Sequence, residues 1–194
     1  EGAEDEDGPG EVLFGRVELP APEVGDPVMW TEMEDYAYAV SLFLLVDVKR
    51  LDLGANRIRR MENIPPALEE LWLGKNKIVT VPALELPRLT KLSIQSNRLT
   101  SIHGLELCTR LEELYLSHQG IEAIANLGPL TRLKVLDLSN NRIAAVEGLE
   151  TLAELEDLWL NDNRIGDLGA TARALEAGPK QTLDTVYFEG NPIA

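Results

Sequence analysis

One nine-residue pattern, L-x-x-L-x-L-x-x-N, recurs seven times and constrains this chain more than any other feature. It reads VKRLDLGAN (48–56), LEELWLGKN (68–76), LTKLSIQSN (89–97), LEELYLSHQ (111–119), LKVLDLSNN (133–141), LEDLWLNDN (155–163) and LDTVYFEGN (183–191). The closing position falls at 56, 76, 97, 119, 141, 163 and 191, in steps of 20, 21, 22, 22, 22 and 28 residues. Asn fills it everywhere except at Gln119. No single copy can bury its own leucines, so the copies must stack on one another.

Elementary geometry turns the pattern into an architecture. Side chains alternate along a strand, so in L-x-L the leucines point one way and the middle residue the other. Leu158 and Leu160 face the interior, and Trp159 faces out. The Asn ends the strand, and its amide can donate to and accept from neighbouring turns. Gln119 is longer, so that rung is expected to be imperfect. Segments such as IAAVEGLETLAEL (143–155) carry apolar residues about every third position, which suits a short 3₁₀ or helical piece. Prolines 65, 66, 82 and 87 favour extended or turn structure in the two short steps. The long step holds GATARALEAG (169–178), with Asp167 as N-cap and Gly178-Pro179 as stop, and predicts an α-helix of about two turns. The fold class is an α/β solenoid: a leucine-rich repeat array of about seven short repeats (20–22 residues, the last 28), with its parallel sheet on the concave face.

The strand period also fixes what this sheet displays. The middle positions give Asp52, Trp72, Ser93, Tyr115, Asp137, Trp159 and Tyr187. The positions two residues earlier add Arg50, Glu70, Lys91, Glu113, Val135, Asp157 and Thr185. Four aromatics in one row of seven is a large share of the chain's ten Trp, Tyr and Phe residues. Aromatics interleaved with acids and set outward are the composition of a protein-binding surface for a partner carrying Lys or Arg.

The ends read differently. Residues 1–34 are acidic, contain Gly and Pro, lack periodicity and are expected to form a disordered tail. Residues 35–47, DYAYAVSLFLLVD, are apolar and are expected to cap the first repeat. The repeat domain takes 48–194. The chain begins at Glu1 rather than Met, which predicts a processed or partial N-terminus. It stops directly after the last strand, so Val186 and Phe188 are expected to lack a cover.

The net charge of −15 is mostly a property of the N-terminal end. Residues 1–36 hold 12 of the 33 acids and one base, Arg16, a net of −11 that leaves −4 for the rest. Such a balance repels a phosphate backbone, which argues against nucleic acid. Cys108 is the single cysteine, and no Asn-x-Ser/Thr occurs. Both features suit a reducing compartment. The longest apolar run, 37–46, is about half the ~20 residues a membrane span needs, so no membrane association is expected.

Catalytic constellations are not visible. His103 and His118 lie on different repeats, and Cys108 reads as an apolar filler. NDNRIGD (161–167) has Ile165 where a calcium loop needs a ligand oxygen, and no phosphate-cradling glycine loop occurs. These observations predict no enzyme, no cofactor and no metal.

Several strings are more specific than the repeat pattern requires. NRIRRMENI, LGKNKI, QSNRLT, LYLSHQGIE, LWLNDN and TVYFEGNP fill variable positions, and across about 48–192 the chain resembles the leucine-rich regulatory subunits of protein phosphatase 1, the regulatory subunit 7 family. The resemblance implies a non-catalytic subunit that binds the phosphatase catalytic subunit through its concave face. It also implies work in the nucleus and cytoplasm, often with a further inhibitor subunit. The family's acidic and aromatic contact positions fall on Asp52, Trp72, Asp137, Asp157, Trp159 and Tyr187. Tyr115 joins them by its place in the row. Asp52 and Asp157 stand where the family often has Glu, and Trp72 where it often has Phe. The family has further repeats on the N-terminal side and a C-terminal cap, which residues 1–47 and the chain end do not match. The competing expectation is a repeat scaffold or adaptor for a cytoskeletal or splicing protein.

Overall fold

The structure, a computed structural model, describes Val12–Leu13, 48–62, 64–179 and 181–193. Each of the seven repeat copies contributes a three-residue strand: β2 (Arg50–Asp52), β3 (Glu70–Trp72), β4 (Lys91–Ser93), β5 (Glu113–Tyr115), β6 (Val135–Asp137), β7 (Asp157–Trp159) and β8 (Thr185–Tyr187). With β1 (Val12–Leu13) they form one parallel sheet whose strand order is the chain order. The register never slips. Leu51, Leu71, Leu92, Leu114, Leu136, Leu158 and Val186 pair in sequence across the sheet. The six leucines of that line are fully buried, while Val186, on the last strand, is only partly so.

The segment predicted to be a disordered tail contributes β1, which pairs parallel with Leu51 and Asp52 of β2. The expected cap at 35–47 and the rest of the N-terminal segment lie outside the described residues.

Each strand ends in a turn held by the repeat's amide. Asn141 Nδ2 donates to its own strand at Leu138 O (2.9 Å) and to the preceding repeat at Leu116 O (3.0 Å). Its Oδ1 accepts from Ile121 N (3.0 Å), also in the preceding repeat. Asn76, Asn97, Asn163 and Asn191 bridge in the same manner. Gln119 keeps both links to the preceding repeat, accepting from Leu99 N (2.9 Å) and donating to Ile94 O (2.6 Å). Its extra methylene carries the amide past its own strand, so the carbonyl of Leu116 keeps its bond from Asn141 of the next repeat and lacks the local one. The rung is complete between repeats and lacks only the local bond.

The residue before each amide adopts a positive φ: Ala55, Lys75, Ser96, His118, Asn140 and Asp162 lie at 54–58°, and Gly190 at 76°. A left-handed non-glycine residue costs about 1–2 kcal/mol. The chain accepts that cost at the six non-glycine turns because this bend aims the amide across the stack.

The outer segments differ from the sequence expectation. No 3₁₀ helix or longer helix forms in 143–155. Single turns form instead: Leu152 N donates to Leu149 O (3.0 Å), and Leu155 N to Leu152 O (3.2 Å). Leu130 and Leu133 do the same. A leucine at every third position therefore aligns its side chain inward without continuous helix, because a 22-residue repeat has no length to spare for one. Cys108 takes the place of Leu130 and Leu152 in this ladder, and burial pushes its thiol up to about 11. Only the 28-residue step has room for α1 (Leu168–Ala177). Asp167 caps it, accepting from Ala170 N at 2.8 Å, and Gly178 ends it.

Candidate protein-binding face

The parallel register brings all seven sequence-predicted positions onto one face. Asp52, Trp72, Ser93, Tyr115, Asp137, Trp159 and Tyr187 are consecutive partners from β2 to β8. Asp157 lies in the parallel row with Glu70, Lys91 and Glu113.

At the β5–β8 end the aromatics form a cluster. The Tyr115 and Trp159 rings sit 6.4 Å apart at 67°, and Trp159 and Tyr187 sit 6.1 Å apart at 76°. Both pairs are edge-to-face, the arrangement that aligns ring edges with negative ring faces. Tyr115 and Trp159 are two strands apart, so their rings meet over β6, the strand that carries Asp137. The expectation of an outward Asp137 is corrected accordingly. It is 5% exposed, and its Oδ1 accepts from Ser139 N (2.9 Å), bracing the turn after β6. Asp52 holds the equivalent bond to Gly54 N (2.8 Å) but stays half-exposed. Ser93, also expected outward, is buried. Trp159, expected to stand exposed, is half-buried between the two tyrosines. Tyr187, at the end of the row, is 50% exposed.

Two residues outside the predicted contact set organise the cluster. Glu113 Oε2 accepts from Tyr115 Oη (2.7 Å) and pairs with Lys91 Nζ (2.8 Å). The Lys91 ammonium also lies 6.0 Å from the centre of the Tyr115 ring. Burial, then Glu113, and more weakly Asp137 and Asp157, hold the Tyr115 phenol well above its usual pKa, so it stays a donor. The sequence places Lys91 and Glu113 side by side in the second row, but their link to Tyr115 needs the register.

The Trp159 indole nitrogen is buried and donates to nothing. Among the described residues it is the one buried side-chain nitrogen or oxygen in that condition. A buried donor without an acceptor costs about 1–3 kcal/mol. Asp157, two residues away on the same face, is half-exposed. The arrangement offers rings, a phenol and carboxylates for non-covalent contact with another protein. Among the described residues no cluster of His, Cys, Asp or Glu could hold a metal, and no helix is long and apolar enough to cross a membrane.

Comparison with known proteins accords with this architecture. Over 77 residues the chain is 50% identical to a protein phosphatase 1 regulatory inhibitor subunit homolog of Arabidopsis thaliana. That stretch covers 38% of this chain and 24% of the relative. It is 33% identical over 95 residues to mimecan of Coturnix japonica, covering 44% of this chain and 32% of mimecan. The chain thus spans about a quarter to a third of the length of these relatives. Among solved structures, an internalin of Listeria monocytogenes matches with a TM-score of 0.67 at 26% identity, over 78% of this chain and 44% of the internalin. A leucine-rich repeat protein of Leptospira interrogans matches with a TM-score of 0.67 at 28% identity, over 78% of this chain and 40% of that one. The pattern of the family "Leucine Rich repeats (2 copies)" matches residues 66–107, 87–129 and 131–172, more than half of the chain. The seven-fold register, the amide ladder and these matches agree: the chain belongs to the leucine-rich repeat family.

Proposed function

We propose that this chain is a non-catalytic regulatory subunit that binds the catalytic subunit of protein phosphatase 1 through its concave face. The contact row is Asp52, Trp72, Tyr115, Asp157, Trp159 and Tyr187, with Asp137 acting from beneath the rings. The observation that carries the reading is the Tyr115–Trp159–Tyr187 cluster with its unused indole N–H. A half-buried aromatic trio with an unsatisfied donor has the character of an interface anchor. The similarity to a phosphatase 1 regulatory inhibitor subunit homolog supports the choice of partner. The acids of both rows favour a basic patch on it, and a further inhibitor subunit fits the same assembly. A single buried cysteine suits action in the nucleus and cytoplasm.

Calorimetry with purified phosphatase catalytic subunit tests the reading. Wild type is expected to bind, and Trp159→Ala to weaken binding by about tenfold or more, about 1.4 kcal/mol. Trp159→Phe, which keeps a ring and removes the N–H, isolates the donor. No binding by the folded wild-type chain refutes the assignment. The second reading is a repeat scaffold for another intracellular protein, cytoskeletal or splicing, with which the leucine-rich repeat family match is equally compatible. It requires that phosphatase binding be absent or indifferent to Trp159.

A further inference from the structure

The turns that follow the strands carry charge unevenly. In the first three repeats, turns 54–62, 74–82 and 95–103 hold Arg57, Arg59, Arg60, Lys75, Lys77 and Arg98 against one acid, Glu62, a net of +5. In the next three, turns 117–125, 139–147 and 161–169 hold Arg142 and Arg164 against Glu122, Glu147, Asp162 and Asp167, a net of −2. The basic turns are stacked directly. Lys77 N donates to Ile58 O and Arg98 N to Ile78 O, both at 2.8 Å, which fixes Arg57, Lys77 and Arg98 as a ridge with one base per strand. All six side chains are exposed except the half-exposed Lys77. None has an ion-pair partner among the described residues. The opposite edge behaves differently: there Lys49 pairs with Glu69 (3.4 Å) and Lys134 with Glu112 (2.8 Å). Exposed bases gathered on one edge of an acidic protein form a local positive patch that suits an acidic segment.

The same chain contains one. Residues 1–36 have a net charge of −11. β1 belongs to this segment and lies parallel to β2, with Val12 opposite Leu51 and Leu13 opposite Asp52. Parallel strands exit at the same end, so the chain leaves Leu13 toward the end of the sheet where Asn56 and Arg57 begin the first basic turn. Beyond it stand Glu18, Glu23, Asp26, Glu32, Glu34 and Asp35 against Arg16 alone. The distance is short. Three strands span on the order of 10–15 Å, and an extended chain advances about 3.3 Å per residue, so about five residues beyond Leu13 are enough to span it.

We propose that the basic ridge of the first three repeats is a docking site for the chain's own acidic N-terminal segment. Exposed ion pairs are individually weak and screened beyond about 10 Å at 0.1 M salt. A segment tethered at β1 is instead presented at an effective concentration in the millimolar range, where weak contacts in series suffice. An occupied ridge turns away other polyanions and leaves the concave face free, so the two charged surfaces act independently.

Paramagnetic broadening in the full chain tests this. Gly25→Cys carries a nitroxide, while Cys108 stays unlabelled because its thiol is buried with its pKa near 11. At about 50 mM salt the amide signals of Arg57, Lys77 and Arg98 are expected to broaden and those of Arg142 and Arg164 to stay sharp. Salt at about 0.5 M should restore them, and so should Arg57→Ser/Arg59→Ser/Arg60→Ser, with dispersion elsewhere in the spectrum reporting its fold. Absence of broadening at low salt overturns the proposal. So does broadening that survives both treatments, which makes the contact non-ionic. A mixture of spin-labelled and isotope-labelled chains separates tethered from intermolecular contact, and broadening in the mixture overturns it in favour of a second copy.

Discussion

Trp72 and Trp159 occupy equivalent positions on β3 and β7, and their surroundings are opposite. Trp159 is flanked by Tyr115 and Tyr187 rings and covers Asp137. Trp72 has Asp52 and Ser93 as its register partners, and no ring pair among the described residues includes it. One residue type in one backbone setting thus gives a packed anchor at one end and a separate side chain at the other. What decides is the neighbour. Rings two strands apart can lean together over a small aspartate, whereas a lone ring between short polar residues has nothing to lean on.

The amide ladder gives the largest expected contrast between the two ends. Asn141→Ala strands Ile121 N and Leu116 O in a buried turn and is expected to cost about 2–5 kcal/mol in denaturant unfolding. Among the described residues Asn56 bonds locally, to Leu53 O and Gly54 O, and about 1 kcal/mol is expected for Asn56→Ala. Equal losses would mean that the inter-repeat bonds carry no stability.

Next come the tryptophans. Trp159→Ala forfeits two edge-to-face contacts and is expected to cost about 2–3 kcal/mol, against about 1 for Trp72→Ala. Alanine at both positions, read by denaturation and by partner calorimetry, shows whether the packed ring is also the stronger contact.

A smaller effect is expected at Tyr115. Its folded pKa is raised, so the folded chain holds the phenol proton more tightly than the unfolded chain does. That contribution is complete below the ordinary tyrosine pKa, about 10, and is lost as pH climbs from there toward the folded value. Tyr115→Phe should lose the bond to Glu113 and flatten this alkaline decline relative to wild type. An unchanged decline would place its origin elsewhere.

The smallest change is a gain. His118 holds φ at 55° before Gln119, and His118→Gly is expected to stabilise by about 0.5–1 kcal/mol, visible as a raised midpoint. A loss would show that the imidazole makes a contact worth more than the strain.

The repeat pattern by itself determined much of this protein. A two-residue strand period and a 20–22-residue step dictate which leucines are buried, which residues form the concave row, and where the amide turns fall. These follow from chain geometry that every copy shares, and the Asp167-capped helix was legible for the same reason. Tertiary structure decided what depends on reach between copies: the burial of Asp137 under two rings, the coupling of Lys91 and Glu113 to Tyr115, and the bonds of Gln119. It also decided that the threefold leucines close single turns, and which bases find partners among the described residues and which do not. A pattern names the position of a side chain, but whether that side chain leans, covers or pairs depends on the size and charge of residues about 22 positions away in sequence, a single strand spacing (~4.8 Å) away in space.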